Sequence, residues 1–262
     1  MTELIVTTLN EGVLQIRINR PEKKNAMTSA MYITLADLLN ANAKDDQIRV
    51  VLWHGAGDSF SAGNDVADFL KNPPGPGESP QARLITALIN FDKPLVAAVQ
   101  GAAIGGGTTM LTHCDFVFAG ESAKFQMPFV NLALVPEFGS SYAIPAQTGY
   151  LRAAELIQLG LPFDAMRAAE LGLVTRVVPD EKLLATATET AQKLAEKPAA
   201  ALQACKRLMK ATFRDQLEQA AKRENEEFAA RVRSADAKEA FSAFLEKRPP
   251  SFNRTRQATT AA

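Results

Sequence analysis

Short apolar runs alternate with stretches of helical spacing through most of the chain, and the last quarter is helical almost throughout. Ile5-Val6-Thr7-Thr8 and Val13-Leu14-Gln15-Ile16-Arg17-Ile18 are β-type runs joined by Asn10-Glu11-Gly12, a hairpin signal. Asn19 to Met27 is polar and interrupted by Pro21. From Ser29 to Ala43 the spacing of Met31, Leu35, Leu38 and Leu39 predicts a helix, and Val50-Val51-Leu52-Trp53-His54 reads as a buried strand ending at Gly55. Residues 72–80 hold four prolines and two glycines, which neither continue a helix nor fill a sheet. They predict a surface connector, or a lid over a substrate.

Ala82 to Asn90 has helical spacing, and Pro94-Leu95-Val96-Ala97-Ala98-Val99 suits a strand buried on both faces. Thr108 to Thr112 predicts a short helix, Phe116-Val117-Phe118-Ala119 a strand, and Ala153–Leu159 and Ala165–Leu171 two more helices. From Thr186 to Glu246 the pattern is long, charged-and-apolar helix broken at Pro198. Its apolar residues Leu208, Phe213, Leu217, Phe228, Val232, Phe241 and Phe244 recur at helical intervals and should meet a core or another subunit. The expected organisation is an alternating α/β core over residues 1–197 and a helical oligomerisation region over 198–262.

Composition narrows the function. The 262 residues, 47% hydrophobic and 22% charged, suit a globular chain with one sizeable core. Lysine plus arginine equals aspartate plus glutamate at 29 each, so no global field draws the chain to nucleic acid or an anionic membrane. An anionic ligand would need a local basic cluster. Cys114 and Cys205 are far apart without metal-like spacing, which predicts free buried thiols in a reducing compartment. No signal peptide, membrane-length apolar run or C-terminal address is read, so cytoplasm is the expectation. His54 and His113 lack a ligand cluster, and no zinc site, P-loop or serine triad is supported. Gly105-Gly106-Gly107 lacks the G-x-G-x-x-G spacing of a dinucleotide fold, which disfavours a nicotinamide oxidoreductase, and no metal or redox cofactor is expected.

The chemistry centres on Glu137, a lone carboxylate in Leu134-Val135-Pro136-Glu137-Phe138-Gly139-Ser140-Ser141, thirty residues after Gly107. A desolvated carboxylate can move protons, and a glycine-rich turn at a helix start can present N–H groups to a developing oxyanion. Taken alone, the glycines better suit tight turns and close packing, and Glu137 better suits an exposed loop or a helix cap.

The order of several motifs resembles the crotonase superfamily, whose members act on acyl-coenzyme A thioesters. These are Phe60-Ser61-Ala62-Gly63-Asn64-Asp65-Val66 and Gly101-Ala102-Ala103-Ile104-Gly105-Gly106-Gly107, with Asn19–Met27, Lys93–Val99, Phe125–Pro128, Ala168–Val174 and Phe244–Arg248 around them. The resemblance implies a crotonase-like spiral of ββα units with a C-terminal α-helical region, assembled as trimers or hexamers. It also implies an oxyanion hole made by the backbone N–H groups of Asn64 and Gly106, each donor lowering the barrier by roughly 3 kcal/mol.

Departures from the family bear on the reaction. Where the resembling hydratases carry two glutamates, this chain has Thr109 and Phe129, neither of which can act as a carboxylate base. Glu137 instead falls where the 3-enoyl to 2-enoyl coenzyme A isomerases carry one catalytic glutamate, and one base suffices for an allylic shift. Phe129 would exclude water or serve as ordinary core packing; Asn131, Thr109 and Ser140 could add polar contacts or be structural. For the coenzyme A moiety the resemblance points to Lys23 and Lys24, to Ala62 and Asn64, and to Phe244 and Lys247, the last two reaching a neighbouring subunit's ligand. Hydration, hydrolysis or ring opening using Glu137 or Asp65 stand as alternatives. So does a non-catalytic oligomeric scaffold or RNA-binding relative.

Overall fold

The structure, a computed structural model, describes residues 3–72 and 79–252. Strand β1 (Ile5–Asn10) pairs antiparallel with β2 (Val13–Ile18), and Glu11 and Gly12 turn between them at φ of 48° and 78°. Two consecutive left-handed residues match the twist of a tight hairpin. Helix α1 (Ser29–Asn42) is capped by the Thr28 side chain and buries Met31, Tyr32, Leu35, Ala36 and Leu39. Then come β3 (Val50–Gly55), α2 (Val66–Lys71), α3 (Pro80–Asn90), β4 (Leu95–Val99), β5 (Ala102–Ile104) and α4 (Gly106–Thr109). Residues 73–78 of the proline-rich stretch lie outside the described residues.

The middle of the chain adds β6 (Phe116–Gly120), β7 (Lys124–Gln126), α5 (Ser140–Thr148), α6 (Tyr150–Ala154), β8 (Phe163–Asp164), α7 (Ala165–Glu170) and β9 (Arg176–Val178). One sheet has six strands in the order β1-β2-β3-β4-β6-β9, parallel apart from the first pair, and the second has three in the order β5-β7-β8. The middle of the main sheet is buried on both faces. Val51, Trp53, Leu95, Ala97 and Val99 pack towards α1 and α3, whereas Val50, Leu52, Val96 and Ala98 meet α8 (Leu183–Ala195) through its Ala187, Ala191 and Ala195 stripe. Alternate residues of a strand point to opposite faces, so two covered faces require a continuous apolar run.

The tail is α8, α9 (Ala199–Ala211), α10 (Arg214–Arg231) and α11 (Ala235–Leu245), broken not only at Pro198 but also around Phe213 and Ser234. Leu217, Phe228, Val232 and Phe241 are buried, while Leu208 and Phe244 are exposed. The expectation of two buried thiols is corrected: Cys114 is half-buried and Cys205 is exposed. For Cys205 the cause is the inward face of α9, which carries Lys206 and Lys210. Lys206 Nζ binds Asp115 at 2.7 Å and the Lys93 carbonyl at 2.8 Å, and Lys210 Nζ faces the last carbonyls of α3. That orientation turns Cys205, Leu208 and Met209 outwards. Among the described residues no helix is long and apolar enough to cross a membrane.

Between β4 and β5 the chain turns at Gly101, with φ of 51°, and runs against residues 58–61: Phe60 N–H donates to the Gln100 carbonyl at 2.8 Å. A Cβ at Gly101 would sit 1.9 Å from the Asp58 carbonyl oxygen. Gly101→Ala should therefore lower the unfolding free energy by roughly 3 kcal/mol, read from urea denaturation. A loss under about 1 kcal/mol would show that this crossing relaxes freely.

Candidate active site

The site begins where residues 61–64 run beside residues 103–106. Ser61 bridges Ala103 in parallel, and Ile104 N–H donates to the Ser61 carbonyl at 2.9 Å. Gly63, at φ of 79°, permits this approach, because a Cβ there would lie 2.5 Å from the Ile104 carbonyl oxygen. On the other side, Met27 accepts from Asp65 N–H at 2.9 Å and donates to the Gly63 carbonyl at 2.7 Å. Alternation along the strand turns the Asn64 N–H away from that pairing. Gly106 opens α4, where an N–H has no partner within its own helix. Among the described residues neither the Asn64 nor the Gly106 N–H has an acceptor.

Glu137 meets both segments. It is 3% exposed, its Oε1 accepts from Asn64 Nδ2 at 3.1 Å, and a Cβ on Gly106 would lie 2.7 Å from the same oxygen. The Asn64 Oδ1 accepts from the Tyr32 hydroxyl of α1 at 2.8 Å. Behind Glu137 the chain takes an unusual course, with Phe138 at φ of 65° and Gly139 at 69°. A bulky residue in the left-handed region is held there only by strong surroundings. His113 Nε2 binds the Phe138 carbonyl at 2.8 Å, and the Glu224 carboxylate of α10 accepts the N–H groups of Gly139 and Ser141 at 2.6 Å each. The Phe138 ring is buried against Tyr32 and His113.

Burial shapes the electrostatics. Loss of water, with the nearby Glu224 charge adding to it, pushes the Glu137 pKa up to about 8, and the Asn64 hydrogen bond opposes the rise. Tyr32 is held well above its ordinary range by burial and by Glu137. His113 is pushed down to about 3 by burial and the Lys210 charge, so its ring is neutral and Nε2–H donates to Phe138.

Of the residues singled out in the sequence, Glu137, Asn64 and Gly106 come together here. The exposed-loop and helix-cap alternatives for Glu137 do not hold: it is buried, and Glu224 binds the start of α5 instead. Thr109 is buried, with its hydroxyl on the Gly105 carbonyl, and Phe129 is buried beside Gly105. Ala62 N–H donates to the Lys24 carbonyl at 2.9 Å, which sets Lys24 against the Ser61–Asn64 segment, while the Lys23 and Lys24 residues are exposed. Phe244 and Lys247 are exposed at the end of α11.

Tyr32, His113 and Glu224 were not anticipated as site residues. Glu224 carries a signal, a carboxylate on the buried stripe Leu217, Ala220, Ala221 and Phe228 of α10. A cavity of about 800 Å³ between α3 and α10, lined by Ile85, Ile89, Ala221 and Ala229, includes none of Tyr32, Asn64, Gly106 or Glu137. Among the described residues no cluster of three or more His, Cys, Asp or Glu side chains could hold a metal ion.

A two-sheet α/β core with a buried carboxyl against two segments that bear free backbone donors is the arrangement expected of a crotonase. Residues 8–255 match the profile described as enoyl-CoA hydratase/isomerase, and the chain belongs to that family. It is similar to the 1,2-epoxyphenylacetyl-CoA isomerase of Escherichia coli K12, with 36% identity covering 96% of this chain and 99% of the relative. It is also similar to human enoyl-CoA delta isomerase 2, with 36% identity covering 82% of this chain and 56% of the relative. A crystal structure of an enoyl-CoA hydratase/isomerase from Pseudoalteromonas atlantica superposes with a TM-score of 0.90 at 41% identity, covering 95% of this chain and 100% of that one. The crotonase-like spiral with C-terminal helices is thus the fold of this protein.

The raised Glu137 pKa has a consequence for stability. The group titrates near 4.5 when unfolded and near 8 when folded, so between those values the folded state keeps a proton the unfolded chain has released. Its contribution is most favourable below pH 4.5 and declines as pH rises through 8. Glu137→Gln should therefore gain thermal stability relative to the natural protein across that window, levelling above it. Melting curves whose difference stays constant with pH would contradict the buried, proton-retaining carboxyl.

Proposed function

We propose that this protein shifts the double bond of 3-enoyl-coenzyme A thioesters to the conjugated 2-enoyl position. The observation carrying this reading is one buried carboxyl, Glu137, in contact with both segments that bear free N–H groups. The thioester oxygen would accept from the Asn64 and Gly106 N–H groups. Glu137 removes a proton from C2, the electron pair of that C–H bond forms the dienolate, and negative charge collects on the oxygen facing the two donors. The same carboxyl then returns the proton to C4, leaving the double bond between C2 and C3. A base with a pKa lifted towards neutrality is better matched to a weakly acidic carbon.

Thr109 and Phe129 support isomerisation over two-glutamate hydration, since they stand where the hydratases of the superfamily carry carboxylates. The similarity to human enoyl-CoA delta isomerase 2 supports it too. Lys23, Lys24, Ala62 and Asn64, with Phe244 and Lys247 from a neighbouring subunit, are the proposed coenzyme A contacts. The exposed Leu208, Met209, Phe244 and Leu245 support assembly as a homotrimer or homohexamer. A second reading, isomerisation of a 1,2-epoxyphenylacetyl thioester, is favoured by the similarity to the Escherichia coli enzyme of that name, and the same base and donors would serve it.

Purified protein assayed side by side on 3-enoyl, 2-enoyl and epoxyphenylacetyl thioesters separates these readings. Fast conversion of the 3-enoyl thioester is expected, and rapid addition of water to the 2-enoyl thioester would sink the isomerase reading. Glu137→Gln should lower kcat roughly 10³-fold while leaving acyl-coenzyme A affinity nearly unchanged. Full retained activity would remove Glu137 from the chemistry.

A further inference from the structure

We propose that Tyr32 is a positioning residue for the base, a role that rests on the isomerase reading: its hydroxyl fixes the Asn64 side-chain amide with the N–H towards Glu137 and the carbonyl turned away. Tyr32 lies on the inward stripe of α1 and is 0% exposed, with its ring packed on Phe138. Its hydroxyl is 2.8 Å from Asn64 Oδ1, its one hydrogen-bond partner among the described residues.

The amide of Asn64 could in principle sit in either of two orientations related by a half-turn. Turned over, it would set its oxygen against Glu137, two acceptors face to face once that carboxyl ionises, and its NH₂ group against the Tyr32 hydroxyl in either protonation state. The hydroxyl proton would then have no acceptor in a place closed to water, and burying an unmade hydrogen bond is unfavourable. The phenol therefore selects the orientation observed, in which Nδ2 reaches Glu137 Oε1 at 3.1 Å.

That orientation does two things for the base. An N–H directed at a carboxylate favours its ionised, proton-accepting form, and it holds Oε1 beside Gly106. Asn64 also carries one of the two free main-chain N–H groups, so one residue sets the base and an oxyanion donor at a fixed separation. A phenylalanine at position 32 would keep the ring packing and remove only the selecting proton. The other groups around Glu137 stay in place in that variant: Glu224 from α10, the Arg20–Asp65 ion pair beside Asn64, and His113 with Lys210 behind Phe138.

The test follows the protonation of Glu137 without needing turnover. Infrared spectra of the ligand-free full chain are recorded against pH, with Glu137→Gln as the blank, for the natural protein, Tyr32→Phe, Asn64→Ala and the double variant. Tyr32→Phe and Asn64→Ala should each move the Glu137 midpoint upwards, and the double variant should move it no further than Asn64→Ala alone. On the 3-enoyl thioester Tyr32→Phe should lose roughly tenfold in kcat at pH 7 with KM little changed. A Tyr32→Phe midpoint equal to that of the natural protein overturns the proposal. If Tyr32→Phe does not fold, 3-fluorotyrosine placed at position 32, a stronger donor of nearly the same shape, should lower the midpoint, and an unmoved midpoint overturns the proposal equally. Failure of the thioester assay alone bears on the reaction and leaves this titration standing.

Discussion

The hydrogen bond between Asn64 and Glu137 ties together parts of the chain that are far apart in sequence. Asn64 is fixed by the pairing of its neighbours with Met27 and by the crossing of residues 61–64 over 103–106. Glu137 is fixed by a left-handed turn held from one side by His113 and from the other by Glu224. Neither scaffold alone makes a site. Their meeting sets a buried carboxyl against the two segments that carry unpaired backbone donors.

Holding the arrangement has a cost in stability. A buried carboxyl that keeps its proton to about pH 8, a second buried carboxyl nearby and a phenylalanine at positive φ each oppose folding. The two-sided core of the main sheet offsets this, with strands β3 and β4 fully covered on both faces. Helix α10 also takes part, since Leu217 packs at Gly139 and Glu224 binds the turn behind Glu137. A destabilised centre inside a well-packed frame is the common pattern of catalytic sites.

Much of this was legible in the residues. The hairpin, α1, α3, β3 and β4 follow from period and turn chemistry, because each buries a long or continuous apolar pattern. The pieces that escaped are short or disguised: β5, β7 and β9 have three residues each, β8 two and α2 six, and α5 carries Pro145 inside it. The outward turn of Cys205 and Leu208 was hidden because Lys206 and Lys210 are satisfied by groups from distant elements. In the site, motif order singled out Glu137, Asn64 and Gly106, which the fold brings together, whereas Tyr32 looked like one more residue of an apolar stripe. Its partner lies thirty-two residues away, and no local pattern reports a contact of that kind.

The most direct measurement follows one hydrogen atom. A 3-enoyl thioester deuterated at C2 is converted in ordinary water and the product is examined for label at C4. A single carboxyl shielded from solvent should carry a substantial share of the deuterium from C2 to C4 within one turnover. Complete loss of the label to water from the first turnover would contradict a buried Glu137 acting as both base and acid.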